Sequence, residues 1–341
     1  MFILADVLRP EPLNPVAFTI FGQEVRWYAI FILLGVVAAA LIGYYGFGVR
    51  LGANSDIVYE GLTFGLISGV VGARLYYVIF SPSSVSTFWD IFNPRGGGLA
   101  IHGAIYATII FVIIYCKVRK LNLLIIAEIV VPVFLLAQAF GRWGNFFNQE
   151  AFGGIVNGYT TGPLTDAQLI AQRETLHRLL VPNFVINQMY VTDFRGLDIQ
   201  PIAGYYYPTF YFESIANFLG FLVMMVPRRF TRKLYLGDGL PIYLTWYGIT
   251  RFFIEGMRTD PLMLGNLRIA RLTSVVFVIA GIAIFVLRRV FKYKLIPSYD
   301  IFYGEQSASI WLEGHPPVPK EKKKQAENQD DSEQSNQQSD N

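Results

Sequence analysis

The chain reads as an all-α polytopic membrane protein: seven transmembrane helices, with a small extracytoplasmic domain between the fourth and fifth. Three observations predict this. Of 341 residues, 53% are hydrophobic and only 16% charged, with a mean hydropathy of +0.40; a soluble domain carries about a quarter charged residues. Seven long apolar stretches punctuate the chain, and its lysines fall on one side of the pattern those stretches make.

The stretches are Trp27–Val49, Ile57–Phe80, Leu99–Cys116, Leu123–Phe140, Thr209–Val226, Leu240–Met257 and Leu272–Val290. Most run about 18–24 residues, long enough to cross a ~30 Å hydrocarbon core as helices. One such stretch alone could be a buried helix of a soluble protein; seven in one chain are not. Orientation follows from basic residues in the connections. Arg50, then Lys117, Arg119 and Lys120, then Arg228, Arg229, Arg232 and Lys233, then Arg288, Arg289, Lys292 and Lys294 share one side. Arg95, the 142–208 segment, Arg258, Arg268 and Arg271 share the other; the arginines after span six weaken the count, but every lysine lies in the first set or in the tail beyond it. Residues 1–26 are therefore expected to be extracytoplasmic and 291–341 cytoplasmic, around a membrane body of 27–290.

The remaining segments set limits. Met1–Ile20 holds Pro10, Pro12 and Pro15 among charges and does not read as a cleavable signal. The insertion at 151–207 is polar enough for an extramembrane domain, with helix-like spacing over Asp166–Leu180 after Pro163. From about residue 313 the tail is too polar to bury anything and is expected to be disordered. Cys116 is the only cysteine, which excludes an internal disulfide and a cysteine-rich metal site. His102, His177 and His315 have no metal-ligand spacing, so neither metal nor other cofactor is expected, and nothing points to nucleic acid.

Chemistry concentrates in Gly141-Arg142-Trp143-Gly144-Asn145-Phe146-Phe147-Asn148-Gln149-Glu150-Ala151-Phe152-Gly153. An arginine, amides and a carboxylate at the end of a membrane segment are costly unless they have a partner or a ligand. Alternating span directions bring further polar groups to the same outer depth. These are Tyr28 opening span one, Arg74 in span two, His102 in span three, Glu213 in span five, and Tyr247, Arg251, Glu255 and Arg258 in span six. The last four recur on one helix face. Each has a structural alternative: Arg74 as a snorkelling residue, Arg251–Glu255 as an internal ion pair, His102 as a satisfied hydrogen-bonder, and Tyr28 as part of the aromatic belt. Convergence at one depth favours a single site. Glu60 and Glu128 lie toward the other side and read as structural. Arginine suits a phosphate, which it grips with a planar, permanently charged fork.

The stretch Gly141–Gly153 fills every fixed position of the G-R-x-G-N-F-x-N-x-E-x-x-G signature of the bacterial prolipoprotein diacylglyceryl transferase family. Arg26-Trp27-Tyr28 resembles that family's first-helix motif, Gly72-Ala73-Arg74-Leu75 its second, and Gly97-Gly98-Leu99-Ala100-Ile101-His102-Gly103 its Gly-Gly…His-Gly motif. Pro208-Thr209-Phe210-Tyr211-Phe212-Glu213 resembles the opening of its fifth helix, and Tyr247…Arg251…Glu255…Arg258 its sixth.

The resemblance implies transfer of diacylglyceryl from phosphatidylglycerol to the lipobox cysteine of a preprolipoprotein in the bacterial plasma membrane. On that basis Arg142 and Arg251 would bind the phosphate and His102 would take the thiol proton. Asn145, Asn148, Glu150, Gly153, Glu255 and Arg258 would bind the lipid with the two arginines, and Tyr28 would join the catalytic residues. Glu255 and Tyr28 would orient the arginines, and Arg74, Glu213 and Tyr247 would support the site. Two positions depart from the family's usual pattern: Tyr207 stands where a histidine is common, and Ala104 where a second glycine is. The first removes one proton acceptor and leaves two alternatives: His102, or Arg142 acting with hydroxide or a lipid phosphate as the acceptor. A lipid transporter would instead place its charges near the midplane, within repeats that this chain lacks. A scaffold would leave the intramembrane arginines unexplained.

Overall fold

The computed structural model describes residues 8–51, 55–81, 98–193, 202–258, 263–264, 267–293 and 295–303. The tail expected to be disordered, Arg95 and the first glycines of the Gly-Gly…His-Gly motif lie outside them. In chain order the elements are β1 (Val16–Ile20), β2 (Gln23–Arg26), α1 (Trp27–Gly43), α2 (Ser55–Phe80), α3 (Ile101–Val118), α4 (Leu123–Asn148), α5 (Asp166–Arg178), α6 (Asn183–Gln188), β3 (Tyr190–Val191), β4 (Gly204–Tyr205), α7 (Thr209–Phe230), α8 (Gly239–Met257), β5 (Met263–Leu264), β6 (Leu267–Arg268), α9 (Ile269–Val290) and α10 (Ser298–Tyr303). Each expected apolar stretch is a helix. Six are long and apolar enough to cross a membrane: α1 with the π-helical turn that extends it to Gly48, α2, α3, α4, α7 and α9. In α8 the apolar content is diluted by Thr245, Thr250, Arg251 and Glu255. Small antiparallel hairpins (β1–β2, β3–β4 and β5–β6) supplement the all-α expectation.

The chain divides into two compact units, one from 8–47 with 127–303 and the other from 48–126. In the second, α2 and α3 pair closely because α2 turns a glycine face toward its neighbour. Gly61, Gly65 and Gly69 lie against Tyr115, Phe111 and Thr108, and a Cβ on Gly72 would come within 2.6 Å of the Gly103 carbonyl oxygen. In membrane helices van der Waals packing replaces the hydrophobic drive, and small residues make such approaches possible. The outward faces stay apolar: Ile109, Ile110 and Ile114 on α3 are exposed. A belt of that size is tolerated facing lipid and not facing water.

In the first unit the helices are tied together at the end opposite the Gly141–Gly153 stretch. Arg228 on α7 pairs with Glu128 on α4 and donates to the Glu128 carbonyl at 2.7 Å, with both side chains 2% exposed or less. The same carboxylate accepts the Gly239 N–H at 2.7 Å, at the first turn of α8. Asp238, immediately before that helix, pairs with Arg288 at 2.7 Å and Arg289 at 2.8 Å from α9. Two carboxylates thus sit at the positive end of the α8 dipole. Arginines that sequence reads only as orientation markers also join α4, α7, α8 and α9.

At the other end α4 runs two turns beyond its expected end at Phe140. Trp143, Phe146 and Phe147 continue the helical apolar period and pack on the core of the 151–207 segment, which includes Leu169, Leu176, Val185, Ile186, Met189 and Tyr205. Gln149 and Ala151 then adopt left-handed backbone and stop the helix. Within that segment α5 begins with a Thr165–Gln168 capping box. The buried Gln172 amide donates to the Val156 carbonyl at 2.8 Å and accepts the Tyr205 N–H at 3.0 Å. Burial pushes the Tyr205 hydroxyl's pKa up, so it stays protonated and donates to the Leu8 carbonyl at 3.0 Å.

The Arg228–Glu128 pair supplies a stability test. Arg228→Met leaves a buried carboxylate uncompensated and should cost roughly 3–5 kcal/mol. The double change Glu128→Met, Arg228→Met should recover most of it. Thermal unfolding of the detergent-solubilised protein measures both; equal losses in the two variants would contradict the pairing.

Candidate active site

Arg142, Glu213, Arg251 and Glu255 come from three helices and form one network. Arg142 Nη2 on α4 lies 2.6 Å from Glu213 Oε1 on α7. The other oxygen of Glu213 lies 3.2 Å from Arg251 Nη1 on α8, and Arg251 Nη2 lies 2.9 Å from Glu255 Oε2 one turn further along α8. Both carboxylate side chains are 4% exposed or less, whereas the Arg142 and Arg251 side chains keep 26% and 17% of their surface. The acids are sealed and the cations face the open side. Buried carboxylates need such partners to remain charged, and the arginines in turn lose rotamer freedom before any ligand arrives. Glu213 therefore does more than support: it spans both arginines, a role that sequence reading placed on Glu255 and Tyr28.

The network forms because backbone contacts lock the ends of these helices together. Gly153 donates to the Tyr207 carbonyl at 2.7 Å and bridges Arg258 in antiparallel fashion, while Gly154 donates to the Met257 carbonyl at 2.9 Å. A Cβ on Gly153 would lie 2.7 Å from the Met257 oxygen, so only glycine lets the chain leaving α4 dock between the start of α7 and the end of α8. Thr209 Oγ1 donates to the Ala151 carbonyl at the same junction. Arg268 Nη1 donates at 2.7 Å to the Glu255 carbonyl, capping the C-terminus of α8. That accounts for an arginine which weakened the charge count for orientation.

A second cluster sits at the end of α4. Asn145 Nδ2 and Asn148 Nδ2 both donate to Glu150 Oε1, at 2.9 and 3.1 Å, and buried Asn148 Oδ1 has no hydrogen-bond partner among the described residues. Asn145 follows Arg142 by three residues and shares its face. Tyr28, at the start of α1, packs on α4 where Gly144 leaves room; a Cβ there would lie 3.1 Å from the Tyr28 Cα. Trp27 stacks on Phe147 with ring centroids 5.0 Å apart, so both residues of the expected aromatic belt are packed on α4. Tyr247 stacks on Tyr243 at 5.6 Å, below Arg251 on α8.

Arg74 and His102 belong to the α2–α3 unit and lie together in it. Arg74 Nη1 donates to the Gly98 carbonyl at 3.0 Å, and its guanidinium lies 5.6 Å from the Tyr77 ring centroid. His102 is exposed in the first turn of α3, its ring centroid 6.1 Å from that of Tyr76. The Ala100 N–H donates to the Ala73 carbonyl at 3.0 Å, fixing the start of α3 beside Arg74.

Sequence reasoning passed over Ser214, Gln138 and Asn217. Ser214 Oγ donates to the Ala139 carbonyl at 2.9 Å and holds α7 on α4. Gln138 and Asn217 precede Arg142 and follow Glu213 by four residues; spacing from a known site residue was the available signal. The whole arrangement can bind an anion between two preorganised guanidinium groups and stabilise charge that develops on it.

A family model described as prolipoprotein diacylglyceryl transferase matches residues 15–287. Phosphatidylglycerol–prolipoprotein diacylglyceryl transferase 1 of Clostridium perfringens is 39% identical over 271 residues, covering 79% of this chain and 92% of its own length. The similarly named protein of Limosilactobacillus reuteri is 38% identical over 295 residues, covering 84% and 94%. That of Staphylococcus aureus is 37% identical over 290 residues, covering 83% and 91%. The span matched by the family model takes in α1, the Gly141–Gly153 stretch and α8 alike, and this multi-pass membrane chain belongs to the prolipoprotein diacylglyceryl transferase family.

Proposed function

We propose that the chain transfers the sn-1,2-diacylglyceryl group from phosphatidylglycerol to the lipobox cysteine of preprolipoproteins. In the reaction the thiolate sulfur attacks the terminal glyceryl carbon, a C–S bond forms, and the C–O bond to phosphate breaks. The electron pair leaves with glycerol phosphate, and the thiol proton passes to a base. The observation that carries this reading is the pair of part-exposed guanidinium groups held by buried Glu213 and Glu255. Arg142 and Arg251 bind the phosphate and offset the charge that grows on it as the C–O bond breaks. Asn145, Asn148 and Glu150 receive the headgroup hydroxyls, and the unpaired Asn148 Oδ1 supports this by offering an acceptor. Gly153 positions the junction, Arg258 and Tyr28 flank the arginines, and Arg74 and Tyr247 support their respective helices. His102 takes the thiol proton; its exposed imidazole at the start of α3 supports that role. The sulfur comes with the substrate, in keeping with the absence of a second cysteine beside Cys116.

The chain spans the bacterial plasma membrane seven times, with its N-terminus outside, its C-terminus in the cytoplasm and the site toward the outer leaflet. The lysine distribution supports this orientation. Packing of α8 against α7 and α9 supports counting it as a span, its polar face turned onto the arginine network.

Incubation of the purified protein with phosphatidylglycerol and a lipobox peptide, followed by mass spectrometry, tests the reaction. A diacylglyceryl mass gain on the cysteine, with release of glycerol phosphate, is expected; no gain under conditions where lipid moves between leaflets would favour a transporter. Arg142→Lys should lower turnover by about 10²–10³-fold in folded protein, since lysine has no bidentate fork. Near-normal turnover would remove Arg142 from the phosphate site. His102→Ala should slow turnover at saturating lipid while leaving phosphatidylglycerol binding unchanged. Unchanged turnover would dismiss His102 as the base.

A further inference from the structure

One turn deeper than the arginine network, the same three helices form a second polar layer. Hydrogen bonds join the three helices there: Ser214 to Ala139 joins α7 to α4, Trp246 Nε1 donates to the Ala216 carbonyl at 2.9 Å to join α8 to α7, and Gln138 Nε2 reaches the Tyr243 hydroxyl at 3.4 Å to join α4 to α8. Asn217 is 1% exposed, and among the described residues neither its Oδ1 nor its Nδ2 has a hydrogen-bond partner; Gln138 Oε1 is also buried without one. An unmade hydrogen bond at a buried polar atom is costly, and apolar residues would fill a purely structural helix contact at less cost. Asn217 and Gln138 therefore carry hydrogen-bonding capacity that the helix packing leaves unused.

Helix periodicity relates this layer to the arginines. Asn217 follows Glu213 by one turn, Gln138 precedes Arg142 by one turn, and Tyr247 and Tyr243 precede Arg251 by one and two turns. The layer therefore lies about 5.4 Å further into the bundle. A glycerolipid whose phosphate rests on Arg142 and Arg251 with its chains directed inward places its ester carbonyls on the acyl side of the phosphate, at this depth. Carbonyl oxygens accept hydrogen bonds; the unpartnered Asn217 Nδ2 donates them, and Gln138 Nε2 carries a second N–H beyond the one directed at Tyr243.

We propose that Asn217 and Gln138 form a subsite for the ester carbonyls of the glycerolipid substrate. The proposal rests on the phosphate assignment to Arg142 and Arg251. It makes the enzyme sensitive to the acyl linkage as well as to the headgroup. A lipid held at both phosphate and carbonyls has its glyceryl carbon fixed between two anchors, which orients the C–O bond that must break.

Paired lipids test the subsite. The kcat/KM for diester phosphatidylglycerol is divided by that for a dialkyl-ether phosphatidylglycerol of equal chain length, which lacks only the carbonyls. The wild-type ratio should be about fivefold or more, the scale of one or two hydrogen bonds, and Asn217→Leu should bring it toward one. Gln138→Leu, at a less buried position, gives the same readout if Asn217→Leu fails to fold. A wild-type ratio of one, or variants that lose activity on both lipids with the ratio intact, would overturn the subsite. Arg142→Lys should lower turnover on both lipids alike. Full activity of that variant on both would instead overturn the phosphate assignment, and this proposal with it.

Discussion

Glu213 places a carboxylate between two guanidinium groups inside a membrane protein, and much of the site's arrangement depends on that contact. Only 3% of the Glu213 surface is exposed, and Arg142 and Arg251 face its two oxygens, the kind of partners a buried carboxylate needs. Those arginines come from α4 and α8, while Glu213 comes from α7, so a single side chain sets the relative position of three helices. The same contact holds the guanidinium groups before substrate binds, with Glu255 steadying Arg251 from the other side. An anion that arrives there meets donors already oriented, and little reorganisation is left for the reacting step.

The opposite end of the unit solves the same electrostatic problem with the other assignment of roles. There Glu128 and Asp238 sit at the start of α8 among Arg228, Arg288 and Arg289, and these charges are spent on each other and on the helix dipole. Arg228 is 2% exposed, whereas Arg142 keeps about a quarter of its side chain open. Burial of the cation separates a structural pair from one that can receive a ligand.

Apolar length made the helices legible, and their boundaries follow the expected stretches to within about a turn or two, with the longest extension at α4. There the period of Trp143, Phe146 and Phe147 continues past the apolar run because the 151–207 segment, rather than lipid, covers them. The arginines, His102 and the Asn145–Glu150 cluster were readable from residue type and spacing. Glu213 was readable as a polar residue at the right depth, but not as the bridge, because a period within one helix identifies a face and not the helix it meets. Gly153 shows the same limit: its spacing suggested close approach to a ligand, and the neighbour it approaches is the Met257 carbonyl. Arg268 was legible only as a charge on the unexpected side, since its role is to cap α8 through backbone carbonyls.

Binding of phosphatidylglycerol to a Glu213→Gln variant tests the central claim most directly. Charge alone predicts that removing a carboxylate beside an anion site strengthens binding. Preorganisation by Glu213 predicts the reverse, since Arg142 and Arg251 lose the charged group that holds them. Titration of the detergent-solubilised protein with phosphatidylglycerol, read by native mass spectrometry, should show weaker binding by the folded variant than by wild type. Equal or tighter binding would contradict the account.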